Sequence, residues 1–478
     1  MTDDLRIVVM KFGGTSVENP AAIRRTAEIV ETRRKRGQMP VVVVSAMSKV
    51  TDQLLAAAAA AERGDRNGAL AISSRLRNRH LDAASALLSQ AALTEMRPWL
   101  EDQFQALDDL LRGLAAVQEL TPRTTDLVAS YGERLSSRII GWYYTECGLN
   151  GAHVDARTCI LTDDQHGKAT PLEAPIEQSL RNHVLPLLRA RHIPVLGGFI
   201  GSTQTGLTTT LGRGGSDYTG ALVGRGLNAD SIEIWTDVDG IMTTDPRVCP
   251  DALRVKTISF EEAAELAYFG AKVLHPATIL PAVQKNIPVW VLNSRDPENN
   301  GTQITAVAAH SRTPFKSIAI KRRLTIIDVV ASRMLMTHGY LKAIFEVFDR
   351  HKCPVDMVST SEVSVSLTVD SNEKLPAIAA ELSRLADVKY EASKALICMV
   401  GGNIRGQRGI AAQVFTAIRH VNVRMISQGA SEINMSFMIE EEDVEEAVRA
   451  LHQHFFQDPD PEVFDVTSRT PAIASTEK

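Results

Sequence analysis

Apolar and polar positions alternate on two length scales along this chain. Short apolar runs at residues 5–10, 40–44, 193–200, 231–235 and 287–292 read as buried strands. Longer stretches with apolar residues every three or four positions, such as 21–36 and 218–227, follow several of them and read as helices. This alternation predicts an α/β architecture with a largely parallel central sheet flanked by helices. Ligands on such a sheet sit beyond the carboxyl ends of the strands. The predicted strands end in Gly, Thr, Ser, Asp, Lys and Arg, so ligand-type side chains gather at that edge. Residues 52–120 are helical in pattern and rich in Ala, Leu, Arg and Glu, with no cluster of catalytic side chains. They read as a helical insertion, a structural hairpin rather than a lid or an oligomer contact.

The pattern changes after a polar stretch at 293–316, which carries Pro297, Asn299, Asn300, Gly301 and Pro314 and predicts a domain boundary. Beyond it the chain repeats itself faintly. VDMVS at 355–359 resembles VRMIS at 423–427. Each is preceded by an amphipathic helix (341–351 and 410–420) and followed by an alternating strand (363–369 and 433–439). A second helix then follows in each copy, at 375–385 and 443–455. Strand-helix-strand-strand-helix, twice, predicts two small α+β ferredoxin-like units. Their expected extents are 317–395 and 396–466, with a last strand returning to the first unit, after a first domain at 1–310. Residues 467–478 read as a disordered polar tail.

Composition narrows the partners. At 478 residues the chain has room for about three domains. A net charge of −5 leaves no basic field, so no nucleic-acid partner is expected. The five cysteines, Cys147, Cys159, Cys249, Cys353 and Cys398, form no CxxC pair. That fits a reducing cytoplasm and predicts neither a zinc site nor a disulfide framework. A strand pattern begins by Leu5, which leaves no room for a signal peptide. The alanine run at 56–61 is far shorter than the ~20 apolar residues that span a bilayer, so no membrane contact is expected.

The richest motif is TTTLGRGGSDYT at 208–219. A strand, a glycine turn and a helix start direct backbone N–H groups at an anion. Ser216 or Asp217 is the expected N-cap. Arg213 adds a planar fork for a carboxylate or phosphate. In KFGGTSV at 11–17, Gly13 and Gly14 let a phosphate approach the backbone and Lys11 can neutralise it. The order matches neither a Walker A loop nor the protein-kinase glycine loop. In TDVDG at 236–240, Asp237 suits ribose hydroxyls or a metal ion, and in TTDPR at 243–247, Arg247 suits phosphates. Asp239-Gly240 and Asp245-Pro246 read as turn formers. In FGAKVLHP at 269–276, Gly270 reads as a helix C-terminal glycine, Lys272 projects from the loop, and His275 reads as a helix-start or packing residue.

KFGGTSV, GERLSS, GFIGS, TTTLGRGGSDYTG, IWTDVDGIMTTDPR and FGAKVLHPATILPA, in that order, resemble aspartate kinases of the amino-acid kinase family. The C-terminal repeat resembles their paired ACT regulatory domains. The resemblance covers most of the chain and is weakest in the Ala-rich stretch and the tail. It implies the amino-acid-kinase fold plus two ACT domains. The implied reaction is transfer of the ATP γ-phosphoryl group to the β-carboxylate of L-aspartate, giving 4-phospho-L-aspartate, a first step toward lysine, threonine and methionine. Mg²⁺ is implied through the nucleotide, with no metal site of the protein's own. A carboxylate acceptor has a pKa near ~4 and is ionised at neutral pH, so no general base is required. Charge cancellation and in-line positioning carry such a transfer.

The resemblance also implies roles. Lys11 lies between the phosphoryl group and the acceptor, and Asp217 orients Lys11 or the substrate amine. Gly13, Gly14 and Thr15 line the phosphate cradle. Ser45, Thr51, Glu133, Arg213, Gly214, Gly215 and Ser216 are substrate-side positions, with Glu133 on the α-ammonium and Arg213 on the α-carboxylate. Thr236, Asp237, Arg247 and Lys272 are nucleotide-side positions. Met242 departs from the family, which often has tyrosine there. Met334, Thr337, Gly339, Val355, Asp356, Thr360, Ser361 and Glu362 match effector positions of the lysine-inhibited, monofunctional type. Arg424 stands where the first repeat has Asp356, which makes the first unit the expected effector site. ACT units pair, so a homodimer or homotetramer is expected. The chain stops too early for a fused homoserine dehydrogenase. The alternatives are another amino-acid kinase, acting on glutamate, acetylglutamate or carbamate, and a non-catalytic ACT sensor. Glu133 with Arg213, a double grip for a zwitterion, disfavours the first; the intact Lys11, Arg213, Asp217 and Lys272 disfavour the second.

Overall fold

The computed structural model describes residues 5–270, 276–308, 311–330, 339–370 and 373–466. The chain divides into two units, Met1–Gly240 with Val273–Ala308, and Ile241–Lys272 with Ala309–Lys478.

The first unit is built on a sheet whose strands are β1 (Ile7–Phe12), β2 (Met39–Val44), β3 (Gly151–Val154), β4 (Ile193–Gly197), β5 (Ser231–Thr236), β6 (Val289–Asn293) and β7 (Thr302–Thr305). Their spatial order is β7-β6-β5-β1-β2-β4-β3. All neighbours pair in parallel except β6 with the hairpin strand β7. Runs such as IVVMKF are buried along their whole length, as strands covered on both faces must be. The register sets Phe12 beside both Val44 and Trp235, so β1, β2 and β5 end side by side. The residues that follow them therefore meet at one edge.

Helices cover both faces. Helix α1 (Pro20–Lys35) starts where Asn19 accepts a hydrogen bond from the Ala22 N–H, with proline in the first turn. Helices α2 (Val50–Glu62), α3 (Arg66–Leu87), α4 (Gln90–Val117) and α5 (Pro122–Glu146) then follow. The stretch read as an insertion forms one core with the sheet: Ala57, Ala58 and Ala61 of α2 and Phe104, Leu107 and Leu111 of α4 are fully buried in the cluster that holds Met10, Phe12 and Val44. The alanines let neighbouring helices approach closely. Helix α6 (Gly215–Leu227) covers the other face, where a Cβ on Gly224 would lie 2.6 Å from Ile232.

In the second unit, six strands form one antiparallel sheet: β8 (Ser317–Val330), β9 (Val358–Thr360), β10 (Ser364–Asp370), β11 (Asp387–Val400), β12 (Met425–Gln428) and β13 (Asn434–Glu440), in the order β9-β10-β8-β11-β13-β12. Helices Tyr340–Arg350, Leu375–Leu382, Ile410–Ala417 and Val444–Phe456 complete the β-α-β-β-α order twice. The long strands β8 and β11 pair along each other and join the two copies in one sheet. The copies are equivalent at the motif: the Asp356 N–H donates to the Thr368 carbonyl, and the Arg424 N–H to the Met438 carbonyl. The last described strand, Phe464–Asp465, pairs with Arg254–Val255.

Candidate active site

Lys11 sits near the end of β1 and is only 8% exposed. Its Nζ lies 2.5 Å from Asp217 Oδ1. A buried lysine needs such a partner, because an unpaired charge there would be costly. The following glycines keep the space beside it open. The Gly13 N–H donates to the Trp235 carbonyl at 3.0 Å, which ties the turn to β5. A Cβ on Gly13 would stand 3.6 Å from Lys11 Nζ, and one on Gly14 would press to 3.2 Å of the Ala46 carbonyl. Thr15 lies in the short 3₁₀ turn that follows, Gly14–Val17.

Asp217 comes from the first turn of α6. The N-cap of this helix is Gly214, in the left-handed region at φ 74°, and no side chain caps it. This corrects the expected cap at Ser216 or Asp217. The glycine turn starts the helix earlier than the apolar pattern indicates, so both side chains lie inside the first turn. Asp217 is thereby free to pair with Lys11; the Gly215 N–H turns back to the Gly212 carbonyl at 3.0 Å, and the next first-turn N–H groups, which lack intrahelical acceptors, remain for an anion. A Cβ on Gly198 would clash with Ser216 at 2.8 Å, so glycine lets the helix start press against the end of β4. Arg213 is exposed and forms no ion pair among the described residues.

Glu133 lies mid-way along α5 and is 4% exposed. A Cβ on Gly197 would come within 3.0 Å of Glu133, so only glycine lets α5 pack here. Glu133 Oε1 accepts the Ala46 N–H at 3.1 Å. Its Oε2 is buried without a partner among the described residues. Burial pushes the carboxyl up to about 8, only partly opposed by the Ala46 N–H. An unpartnered buried acceptor of this kind is satisfied by a cation. Ser45 lies alongside: its N–H donates to the Phe12 carbonyl at 3.0 Å, and its carbonyl accepts from Ser136 Oγ at 2.8 Å. Thr51 stands in the first turn of α2, facing Gly132 of α5.

The structure thus brings Lys11, Gly13, Gly14, Ser45, Glu133, Ser216 and Asp217 to one edge of the sheet. Thr236 ends β5 at the same edge, and its hydroxyl donates to Asp237 Oδ1 at 3.2 Å. Asp237 is exposed. Asp239 Oδ1 accepts from Asn293 Nδ2 at 2.6 Å, as a turn residue does. Arg247, in the second unit, is engaged by Asp245 at 2.6 Å. Met242, also there, accepts at its carbonyl from Ser317 Oγ. Gly270 follows helix Phe260–Tyr268 at φ 112°, the glycine termination expected. Lys272 and His275 lie outside the described residues.

Of the effector positions, Met334 and Thr337 also lie outside the described residues. Gly339 caps its helix in the left-handed region, at φ 82°. Asp356 Oδ2 pairs with Lys321 at 2.7 Å, and Lys321 also reaches Asp370 at 3.2 Å. Burial raises the Asp356 carboxyl, and Lys321 opposes it. Val355 is half-buried, whereas Thr360, Ser361 and Glu362 are exposed on the edge strand β9 and its turn. Arg424 pairs with Glu391 at 2.8 Å, so the two repeats carry opposite charges at equivalent positions.

Sequence reasoning missed Asp126, which is 1% exposed on α5 and accepts hydrogen bonds from three residues. The signal was present: Asp126 lies seven residues before Glu133, on the same helical face.

The sequence matches the amino acid kinase family over residues 6–293 and the ACT domain over residues 327–380 and 397–455. It is 38% identical to the lysine-sensitive aspartokinase 3 of Escherichia coli, over 94% of this chain and 99% of that one. It is 37% identical to the chloroplastic aspartokinase 2 of Arabidopsis thaliana, over 94% of this chain and 84% of that one. Crystal structures of E. coli aspartokinase III superpose with TM-scores of 0.80, for the complex with aspartate and ADP, and 0.82, for the complex with lysine and aspartate. They are 37% and 38% identical to this chain, and the match covers 94% of it and 100% of each. A matching family over more than half of the chain, and relatives this similar along nearly their full length, place it: the chain belongs to the amino acid kinase family, among the aspartokinases that carry ACT domains.

Proposed function

We propose that this chain phosphorylates L-aspartate on its β-carboxylate with ATP and that lysine inhibits it through the ACT units. The observation that carries the reading is the pairing of opposite grips at one sheet edge. Lys11, balanced by Asp217, offers a cation beside a glycine cradle, and Glu133 offers a buried carboxyl with one oxygen unpartnered, which ionises as it takes up an ammonium. In this reading the substrate ammonium fills the vacant bond of Glu133, and Arg213 holds the α-carboxylate. The β-carboxylate then faces Lys11, which neutralises both it and the incoming γ-phosphoryl group. Gly13 leaves room for the phosphates, and Gly14, Thr15 and the first turn of α6 supply N–H groups as charge moves to the bridging oxygen. Thr236 and Asp237 take the nucleotide side, where the exposed Asp237 carboxylate suits the Mg²⁺ that accompanies ATP. That ion would lower the charge barrier between two anions. Arg247 and Lys272 remain nucleotide-side assignments from the family. A cytoplasmic homodimer or homotetramer, assembled through ACT units, completes the reading.

Asp356 supports the regulatory half. Its buried carboxylate is held by Lys321, so an incoming ammonium exchanges one cation for another at little electrostatic cost. An assay with MgATP and hydroxylamine tests the whole. Aspartate should yield the hydroxamate, and glutamate should not. Millimolar lysine should suppress the product and raise the melting temperature. Hydroxamate from glutamate alone would overturn the substrate, and indifference to lysine would overturn the effector. Arg213→Ala should raise the aspartate KM about 10- to 100-fold, the range for a lost charge-assisted bond, with the ATP KM nearly unchanged. A larger effect on ATP would assign the loop to the phosphates.

A further inference from the structure

The three threonines before the glycine turn are all buried: Thr208 is 8% exposed, Thr209 0% and Thr210 3%. Each hydroxyl is held by a different anchor. Thr208 Oγ1 accepts from Arg157 Nη1 at 3.3 Å, and Thr209 Oγ1 shares a hydrogen bond with Thr162 Oγ1 at 2.8 Å. Thr210 Oγ1 donates to Asp126 Oδ1 at 2.6 Å. Asp126 also accepts the Gly167 N–H at 3.0–3.1 Å and faces His166 Nδ1 at 2.9 Å. The loop that carries His166 closes on the same strand, because the Ala169 N–H donates to the Thr210 carbonyl at 2.9 Å. One buried carboxylate therefore joins helix α5, the 163–170 loop and the strand that runs, three residues later, into Arg213.

Asp126 and Glu133 share α5. Seven residues apart, they lie two turns apart on one face, separated by about 10 Å along the axis. Both proposed arms of the substrate grip thus refer to one rigid element. Glu133 projects from α5 directly, and the Arg213 loop is pinned to it through Thr210 and Asp126. Gly212 and Gly214, at φ 74° each, give the loop itself little stiffness, so its position depends on this anchor.

We infer that Asp126 is a positioning residue that sets the distance between the anionic and cationic grips on the amino-acid substrate. It thereby tunes the site to the substrate's α-amino and α-carboxylate groups. The inference rests on the reading of Arg213 as the carboxylate clamp. A misplacement of about 1 Å at such a grip can cost up to about 100-fold.

The experiment measures KM for aspartate and for ATP in Asp126→Asn, Thr210→Val, Arg213→Ala and the double variant Asp126→Asn/Arg213→Ala. Asp126→Asn keeps the shape and loses the charge; Thr210→Val removes only the hydroxyl. The expected result is an aspartate KM raised about 10-fold in the first and about 5-fold in the second, with the ATP KM within 2-fold of the parent. The double variant should be no worse than Arg213→Ala alone, because an absent clamp cannot be misplaced. If Arg213→Ala raises the aspartate KM and the two anchor variants do not, the positioning role is wrong while the clamp stands. If Arg213→Ala itself leaves the aspartate KM unchanged, both fall. Effects that multiply in the double variant, or a drop in melting temperature with both KM values moving together, make Asp126 a purely structural residue. Should Asp126→Asn fail to fold, Thr210→Val decides the matter by the same criteria.

Discussion

Lys11→Ala is expected to lower kcat by about 1,000-fold with the fold intact, the scale of removing a preorganised group that stabilises transition-state charge. The physical reason is the meeting of two anions. The acceptor carboxylate and the γ-phosphoryl group repel each other, and Lys11 is the buried cation beside the glycine cradle. Asp217 would be left without its partner, so the variant also tests the pair as a unit. Lys11→Arg should not rescue it, because a guanidinium is a larger, planar group and does not place a compact charge at the buried position that the Lys11 ammonium holds against Asp217. The check is hydroxamate formation at saturating aspartate and MgATP, with circular dichroism and melting temperature to show folding. Turnover within a few-fold of the parent would remove Lys11 from the mechanism.

Glu133→Gln is expected to raise the aspartate KM about 100-fold and to abolish a pH dependence that the parent shows. In the ligand-free protein, burial raises the Glu133 carboxyl from its ordinary 4.5 to about 8. Below that value the carboxyl is protonated, and binding an ammonium must expel the proton. Aspartate affinity should therefore rise with pH toward about 8, by at most tenfold per pH unit, and then level off. Stability runs the other way. Between about 4.5 and 8 the native state holds a proton that the unfolded chain has released, so stability is greatest below this window and falls as pH rises through it. The loss is on the order of a few kcal/mol. Glu133→Gln, which cannot ionise, should flatten this difference: relative to the parent, the ligand-free variant should gain stability from pH 5 to pH 8. Parallel melting curves and profiles of kcat/KM for aspartate test both statements. A variant with the parent's pH profile would show that Glu133 is not the titrating group.

Much of the fold was legible because its signals are local. The central strands of the parallel sheet are short apolar runs buried along most of their length, whereas the edge strand β3, Gly-Ala-His-Val and mostly half-exposed, carries no such signal, and the ACT repeat shows itself as two copies of one element order. Glycine-rich turns at strand ends announced the site, because close backbone approach and left-handed φ need glycine wherever the chain goes next. The N-cap of α6 was misread for the opposite reason. Ser216 and Asp217 are good caps by residue type, but Gly214 opens the helix first and Asp217 goes to Lys11 instead. What residue type could not tell of Arg247 is its local partner, Asp245, two residues away. The spacing of Asp126 from Glu133 places both on one helical face, but its partners His166, Gly167 and Thr210 come from segments that only packing brings to it.

By itself the sequence determined which chemistry is available: a lysine and two glycines at a strand end, an arginine on a glycine turn, a glutamate on a helix, and a duplicated regulatory unit. Periodicity and turn chemistry suffice for that, since both are properties of neighbouring residues. Only the tertiary structure decided which charges are balanced and which are left open. Lys11 finds Asp217 across 206 positions of chain, whereas Glu133 keeps one oxygen unpartnered although Ala46 fills the other. Burial and pairing are set by segments far apart in sequence, so charge balance at the site emerges only when they pack together.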